Sequence, residues 1–192
     1  MTDLTPATGM LARIVTRIGD DQLSAPTPCR GMTVADLLDH VDGFSLAFAA
    51  AAAKQPGGGA PSADGTRLVP DWRTRLPEQL ARLADAWQDE TAWAGMTAAG
   101  GLEMPAQVAG NVAINEVVVH GWDIAKATGQ DYGCDGELVQ AAFSFVQAAV
   151  ERSPEGTPGL FGPPVAVAAG APALDRLIGL TGRDPGWRPT AG

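Results

Sequence analysis

The sequence predicts an all-α fold, most simply a four-helix bundle with a short helical appendage near the C-terminus. Apolar residues recur at spacings of three and four in five long segments, which is the period of an amphipathic helix. The helical segments follow one another without alternating strand patterns, as they do in helix bundles. A length of 192 residues is ordinary for one domain, and we expect that domain to span residues 1–192.

The first two helices are predicted from their apolar stripes and end signals. The first spans about Asp3–Ile18, and Gly19 is placed to end it. The second is expected over about residues 33–53. Its first residue, Thr33, precedes Asp36 by three positions, an arrangement like a capping box with Asp in place of Glu.

The middle of the chain alternates loops with a third helix. Glycine and proline dominate residues 55–66, which we interpret as a flexible loop. A helix is expected over about residues 71–91. Pro77 falls early in it, so either the first turn is irregular or the helix begins later. Glycines interrupt residues 93–105, which predicts an extended excursion or a long loop.

The second half of the chain contains the most apolar helix. Residues 106–128 are apolar over most of a helical circumference, which predicts a helix in the middle of the bundle. Gly129 follows as a C-terminal cap. A fifth helix is expected over about residues 136–151 and a short last helix over residues 173–180.

Charge and hydropathy argue against several classes of partner. The formal net charge is −9, from 22 acidic and 13 basic residues, which disfavours binding to nucleic acid or to anionic lipid. No apolar run approaches the ~20 residues that a bilayer requires, and the N-terminus lacks the pattern of a signal peptide. Cys29 and Cys134 stand far apart, so we expect a reduced cytoplasmic protein with two free thiols. We expect it to be a monomer or a homodimer. Cys29 follows a Pro-Thr-Pro turn, and a structural role is favoured over a nucleophilic one.

The candidate chemistry lies with the two histidines of the chain, His40 and His120. Both fall in helices that otherwise resemble core, and Glu116 is the one acid in the apolar run before His120. Four residues turn a helix through ~400° and advance it by ~6 Å, so Glu116 and His120 share a face. A buried carboxylate needs a partner, and His40 from a neighbouring helix would complete a set of two histidines and one carboxylate. Such a set binds a metal and leaves coordination positions open.

Simpler interpretations of these residues stay open. The histidines could be hydrogen-bonded core residues, and Glu116 could form a plain ion pair with His120. If a metal is bound, Asp36 or Asp123 could hold a ligand imidazole through its second nitrogen. Asp36 could equally be a charge at the start of its helix, and Asp123 could equally pair with an arginine such as Arg176 or Arg183.

Three stretches resemble a known family. Residues 26–40, Pro-Thr-Pro-Cys-Arg-Gly-Met-Thr-Val-Ala-Asp-Leu-Leu-Asp-His, resemble the second-helix motif of DinB-like metalloproteins, closest to the branch of mycothiol-dependent maleylpyruvate isomerase. Residues 115–125, Asn-Glu-Val-Val-Val-His-Gly-Trp-Asp-Ile-Ala, and residues 174–185, Leu-Asp-Arg-Leu-Ile-Gly-Leu-Thr-Gly-Arg-Asp-Pro, are similar to two later motifs of that branch.

The resemblance implies a four-helix bundle that binds a divalent metal, often zinc, with nickel or iron as alternatives. It places the three ligands on His40, Glu116 and His120. Two departures are visible, because Met32 stands where the family usually has Trp, and the isomerase carries an additional C-terminal domain without a counterpart here. The second departure argues against maleylpyruvate itself as the substrate.

The three candidate ligands predict a metal-dependent enzyme, and the resemblance implies that it uses mycothiol. The metal would lower the pKa of the thiol and present the thiolate to a small electrophile, in a thiol transfer or an isomerisation. Arg176 and Arg183 are candidates for binding substrate near the mouth of the site. A non-catalytic bundle that binds or senses a small ligand through its metal is the main alternative, and a purely structural bundle is the third.

Overall fold

The structure is a computed structural model that describes residues 1–55, 63–157 and 160–189. These residues form six α-helices and one two-stranded antiparallel sheet, which confirms the predicted fold class. No helix among them is long and apolar enough to cross a membrane. The elements in chain order are α1 Thr5–Val15, α2 Val34–Ala52, α3 Trp72–Ala86, β1 Met96–Ala99, β2 Leu102–Pro105, α4 Ala106–Ala127, α5 Gly136–Arg152 and α6 Ala173–Leu180.

The first four helices form the bundle, and the last two form the appendage. Helices α3 and α4 each pack against both α1 and α2. Helix α5 covers a further face of α4, and α6 packs on α5. Helix α4 is therefore covered on several sides, as its apolar circumference predicts. Large side chains with no exposed surface fill the core, among them Leu11, Leu37, Phe44, Leu80 and Ile114.

The start of α2 is fixed by the predicted capping box. The Thr33 hydroxyl accepts a hydrogen bond from the Asp36 N–H at 3.3 Å, and the Asp36 carboxylate accepts from the Thr33 N–H at 2.8 Å. The other oxygen of Asp36 accepts from the Gly65 N–H at 2.7 Å. Most of the predicted flexible loop, residues 56–62, lies outside the described residues, and Gly65–Arg67 forms a short 3-10 turn.

Two helices are shorter than predicted. Helix α1 ends at Val15, and Gly19, with φ −78°, begins the 3-10 turn Asp20–Gln22 instead of capping a helix. Helix α3 ends at Ala86, and the chain after it forms a 3-10 turn that keeps apolar side chains directed inward. Apolar spacing continues past both helix ends because buried turns also present core residues.

A β-hairpin occupies the segment predicted as an extended excursion. Gly100 and Gly101 have φ of 60° and 80°, so both adopt the left-handed conformation that a two-residue hairpin turn requires. The Thr97 hydroxyl donates to the carbonyl of Ala51 near the end of α2, and the hairpin leads directly into Ala106 at the start of α4. The hairpin therefore aligns the end of α2 with the start of α4 and makes the two helices antiparallel.

The helix cap gives a direct stability prediction. Thr33→Ala removes the hydroxyl acceptor at the N-cap of α2 and should lower the free energy of unfolding by about 1 kcal/mol. Thr16→Ala is a matched control, because the exposed Thr16 hydroxyl donates only to a carbonyl one turn back, and it should change stability by less than about 0.5 kcal/mol. Urea unfolding followed by circular dichroism measures both, and equal midpoints for the two variants would contradict the cap.

Candidate metal centre

Three side chains from two helices converge at one point in the bundle. His40 lies on α2, and Glu116 and His120 lie one turn apart on α4. One oxygen of Glu116 is 3.0 Å from Nε2 of His40 and 3.3 Å from Nε2 of His120. The two imidazole centroids are 5.0 Å apart, with the rings nearly perpendicular. The structure thus brings together the three residues that the sequence singled out.

Helix geometry explains why they meet. His40 lies 11 residues before Ala51, or about 16 Å along α2, and Glu116 lies 10 residues after Ala106, or about 15 Å along α4. The hairpin contacts the end of α2 through a hydrogen bond and leads into the start of the antiparallel α4. His40 and Glu116 therefore lie at the same level of the bundle. The i,i+4 spacing then adds His120 to the same face.

The donor set fits a divalent cation. Two imidazole nitrogens and a carboxylate oxygen are ligands that zinc and its neighbours accept, with bonds of about 2.0–2.2 Å. Neighbouring ligands at these bond lengths on a tetrahedral cation lie about 3.3–3.6 Å apart. The separation of 3.3 Å between Glu116 and His120 fits this spacing, and the separation of 3.0 Å between Glu116 and His40 is a hydrogen-bond distance that would have to lengthen. Only modest adjustments would let the three atoms face one ion.

The second nitrogen of His120 has a defined partner. Its Nδ1 lies 3.0 Å from the carboxylate of Asp123, which has no exposed surface. The guanidinium of Arg183 donates to both oxygens of Asp123, at 3.3 Å and 3.0 Å. A proton held on Nδ1 leaves Nε2 free to act as a ligand, so Asp123 has the contact expected of a residue that orients a metal-binding histidine.

The second nitrogen of His40 is different. Its Nδ1 is buried and has no hydrogen-bond partner in the part of the chain that the structure describes. Asp36, the predicted candidate for this contact, directs its oxygens to Thr33 and Gly65. The helix-start interpretation of Asp36 therefore accounts for its contacts.

Electrostatics inside the cluster favour the charged forms. Burial alone would neutralise Glu116, His120 and Asp123, but their hydrogen bonds and opposite charges outweigh it. The pKa of His120 rises to about 9, and the pKa values of the Glu116 and Asp123 carboxyls fall below their usual range. In the metal-free protein the protonated imidazole of His120 therefore donates from Nδ1 to Asp123 and from Nε2 to Glu116.

Cys29 lies beside this cluster, a proximity that sequence reasoning did not predict. Its sulfur, one nitrogen of His120 and one oxygen of Asp123 lie within 4.8 Å of one another. Arg183 already holds Asp123 with a positive charge, which disfavours a second cation there. Burial raises the pKa of the Cys29 thiol although Arg183 opposes the shift, and a neutral thiol fits the structural role expected of it.

The two arginines predicted to bind substrate have different surroundings in the structure. Arg176 is on α6, with its guanidinium over the ring of Phe143 at 5.4 Å from the centroid. Arg183 is buried against Asp123, so the structure selects it over Arg176 as the partner of that carboxylate. The Arg183 guanidinium is occupied by Asp123, whereas Arg176 is exposed and its role in binding substrate stays a prediction.

Comparison with known proteins identifies the family. Residues 4–125 match the family model described as mycothiol maleylpyruvate isomerase N-terminal domain. The chain belongs to this family. The matched segment contains His40, Glu116, His120 and Asp123, while Arg183 lies beyond it.

A relative of similar length and two solved structures also resemble the chain. An uncharacterized protein of Mycobacterium tuberculosis, found in strains CDC 1551 and H37Rv, is 30% identical over 175 residues, covering 90% of this chain and 91% of the relative. The crystal structure of the mycothiol-dependent maleylpyruvate isomerase shares the fold, with a TM-score of 0.58 and 21% identity. A histidine-to-alanine mutant of that enzyme gives a TM-score of 0.56 at 19% identity. Both alignments cover 75% of this chain and 65% of the isomerase chain, which is just under two thirds of its length.

The raised pKa of His120 predicts how pH changes the stability of this family member without metal. Protonated His120 contributes stability that is complete below its unfolded pKa of about 6.5 and is lost as pH rises towards 9. Glu116 contributes stability above its unfolded pKa of about 4.5 and loses it as pH falls. Chelator-treated protein should therefore melt at its highest temperature between pH 4.5 and 6.5.

A thermal denaturation series between pH 4 and pH 9 tests this profile. The melting temperature should fall by several degrees between pH 6 and pH 9. His120→Gln should flatten that limb, because the variant has no proton to lose there. An equally steep limb in the variant would assign the loss to other groups.

Proposed function

We propose that this chain is a mycothiol-dependent metalloenzyme that activates the thiol for reaction with a small electrophilic molecule, as a thiol transferase or an isomerase. The convergence of His40, Glu116 and His120 carries the proposal. Mycothiol is proposed as the thiol because the chain belongs to a family named for a mycothiol-dependent isomerase. Zinc is the proposed metal, with nickel and iron as alternatives.

The residues have distinct roles in this proposal. His40, Glu116 and His120 would hold the cation, and Asp123 would keep the proton of His120 on Nδ1. A bound divalent cation supplies positive charge that lowers the pKa of a thiol from ~8.5 towards neutrality. Phe44, fully buried and 5.6 Å from the His40 ring, shields one side of the donor set from water.

The charge of the cluster supports an anionic ligand. In the metal-free protein Glu116, Asp123, Arg183 and protonated His120 carry charges that sum to zero. Both imidazoles are neutral when they act as ligands. A divalent cation, two carboxylates and one guanidinium then leave a net charge of +1, which a thiolate would neutralise. The cluster therefore favours a thiolate over a neutral ligand.

The electrophile is proposed only by class. Maleylpyruvate is the substrate named for the structural neighbours, which resemble this chain in fold at about one-fifth identity. In the proposed reaction the thiolate, formed when the thiol loses its proton, adds to an electrophilic double bond of the small molecule and the π bond breaks. The adduct then either takes up a proton, which completes the thiol transfer, or rotates about the bond that has become single and expels the thiolate, which completes the isomerisation. We propose further that residues 1–192 act as one domain, because α5 packs on α4 and α6 packs on α5.

The second candidate function is a metal-carrying bundle that binds a small ligand without turnover. Limited access favours it, since the side chains of His40, Glu116 and His120 are only 18%, 13% and 10% exposed. Side chains with so little exposed surface can contact a small ligand more readily than two reactants together. Turnover of an electrophile by the thiol-loaded protein separates the two candidates.

Metal content tests the donor set. Purified protein should hold about one divalent ion per chain by elemental analysis. His120→Ala and Glu116→Gln should weaken metal binding by more than the ~100-fold that loss of an outer partner can cost. Glu78→Gln should retain the metal, because the exposed Glu78 carboxylate pairs with Arg82 alone among the described residues.

Circular dichroism provides the folding control for these variants. All three should keep helical spectra, because a core of this size does not require a metal staple. Metal retained by both His120→Ala and Glu116→Gln would exclude this donor set.

Thiol coordination is tested in cobalt-substituted protein. Addition of mycothiol should produce a sulfur-to-cobalt charge-transfer band, because three protein ligands leave a position for the thiolate. S-methylated mycothiol is the matched control and should produce no band. If mycothiol gives no band while cobalt stays bound, the thiol-transfer function fails and the binding module becomes the preferred function.

A further inference from the structure

The chain after α6 is shaped to place one side chain. Helix α6 ends in a Schellman motif, in which the Gly182 N–H donates to the Gly179 carbonyl at 3.0 Å and the Arg183 N–H donates to the Ile178 carbonyl at 3.2 Å. Gly182 has φ +82°, and a Cβ there would lie 2.9 Å from the backbone of Gly162. Both the positive φ and the close approach to Gly162 therefore require glycine at position 182, directly before Arg183.

Arg183 is held rigidly in this position. Its Nη1 donates to the Thr181 carbonyl at 3.0 Å, and its Nε and Nη2 donate to the two oxygens of Asp123 at 3.3 and 3.0 Å. The residue is 7% exposed. A planar guanidinium with three directed contacts fixes the plane of the carboxylate that it binds.

Asp123 passes that orientation to His120. The same oxygen of Asp123 that accepts from Nη2 of Arg183 also lies 3.0 Å from Nδ1 of His120. The opposite nitrogen of the ring faces Glu116 at 3.3 Å. A rotation of the Asp123 carboxylate would therefore rotate the imidazole or release its Nδ1 proton, and either change would misdirect Nε2.

We propose that Arg183 is a positioning residue for the metal centre, acting through Asp123 to hold His120 in the orientation that binds the cation. This role rests on the proposed function, since it requires that His120 is a ligand. It extends the site beyond residues 4–125, because a side chain from the C-terminal segment determines the direction of a donor on α4.

A merely structural ion pair would behave differently. Loss of such a pair lowers the stability of the fold and leaves the metal affinity of the folded protein unchanged. A positioning residue changes the affinity and the geometry of the bound ion, and its effect depends on Asp123. Cobalt(II) reports both properties, because its visible absorption depends on coordination geometry.

The experiment measures cobalt and zinc affinity of the full chain in Arg183→Met, Arg183→Lys, Asp123→Asn and the Arg183→Met/Asp123→Asn double variant. Arg183→Met should weaken metal binding about 10- to 100-fold and shift the cobalt spectrum, with Arg183→Lys intermediate because it restores the charge without the fork. The double variant should bind metal about as weakly as Asp123→Asn alone, since both changes interrupt one path.

Arg73→Met is the matched control. The Arg73 guanidinium also joins a backbone carbonyl, that of Ile18, to a carboxylate, that of Asp20, but it does so at the α1–α3 side of the bundle. This variant should keep wild-type affinity and spectrum. Gly182→Ala reaches Arg183 through the backbone and should reproduce the spectral shift, which keeps the test decisive if Arg183→Met does not fold.

Four results would overturn the proposal. The first is an unchanged metal affinity and cobalt spectrum in folded Arg183 and Gly182 variants, and the second is a double variant in which the effects of Arg183→Met and Asp123→Asn on affinity multiply independently. The third is an Arg183→Lys variant that recovers no metal affinity, and the fourth is a loss of metal affinity in Arg73→Met equal to that in Arg183→Met. A wild-type chain that binds no metal would instead refute the proposed function itself, so the two failures are distinguishable.

Discussion

The burial of Glu116 in an apolar helix is the constraint on which the rest of this structure depends. A carboxylate on α4 is costly unless charged or hydrogen-bonding partners surround it, and the fold supplies His40 from α2 and His120 from the next turn. His120 in turn contacts Asp123, and Asp123 contacts Arg183. Alternating charges thus run from Glu116 through His120 and Asp123 on α4 to Arg183 in the segment after α6, and His40 on α2 adds a hydrogen bond to Glu116.

The position of that series depends on a small β-hairpin. The turn at Gly100 and Gly101 reverses the chain, and the Thr97 contact with Ala51 brings the hairpin to the end of α2. Helix α4 therefore starts where α2 stops, and equal distances along the two helices bring His40 level with Glu116. The hairpin lies about 15 Å along α4 from the cluster and contributes to its register by aligning the ends of the two helices.

The family assignment and the structure divide the site into two parts. The matched segment, residues 4–125, contains the donor set and Asp123. The chain beyond it contributes Arg183, which balances the second carboxylate and makes the cluster neutral when His120 is protonated. In the proposed function, a divalent cation would replace the proton of His120 and leave a net charge of +1 that an anionic thiolate would neutralise.

The sequence by itself determined α2, α4 and α6 and the grouping of Glu116 with His120, because apolar period, caps and i,i+4 spacing act within a few residues. It also indicated His40, since the chain has only two histidines. The early end of α1, the hairpin and the choice of Arg183 over Arg176 were decided by tertiary structure. Asp123 and Arg183 are 60 residues apart, and nothing local distinguishes one arginine from another. Only the packing of α6 on α5, and of α5 on α4, makes Arg183 the residue that reaches the buried carboxylate.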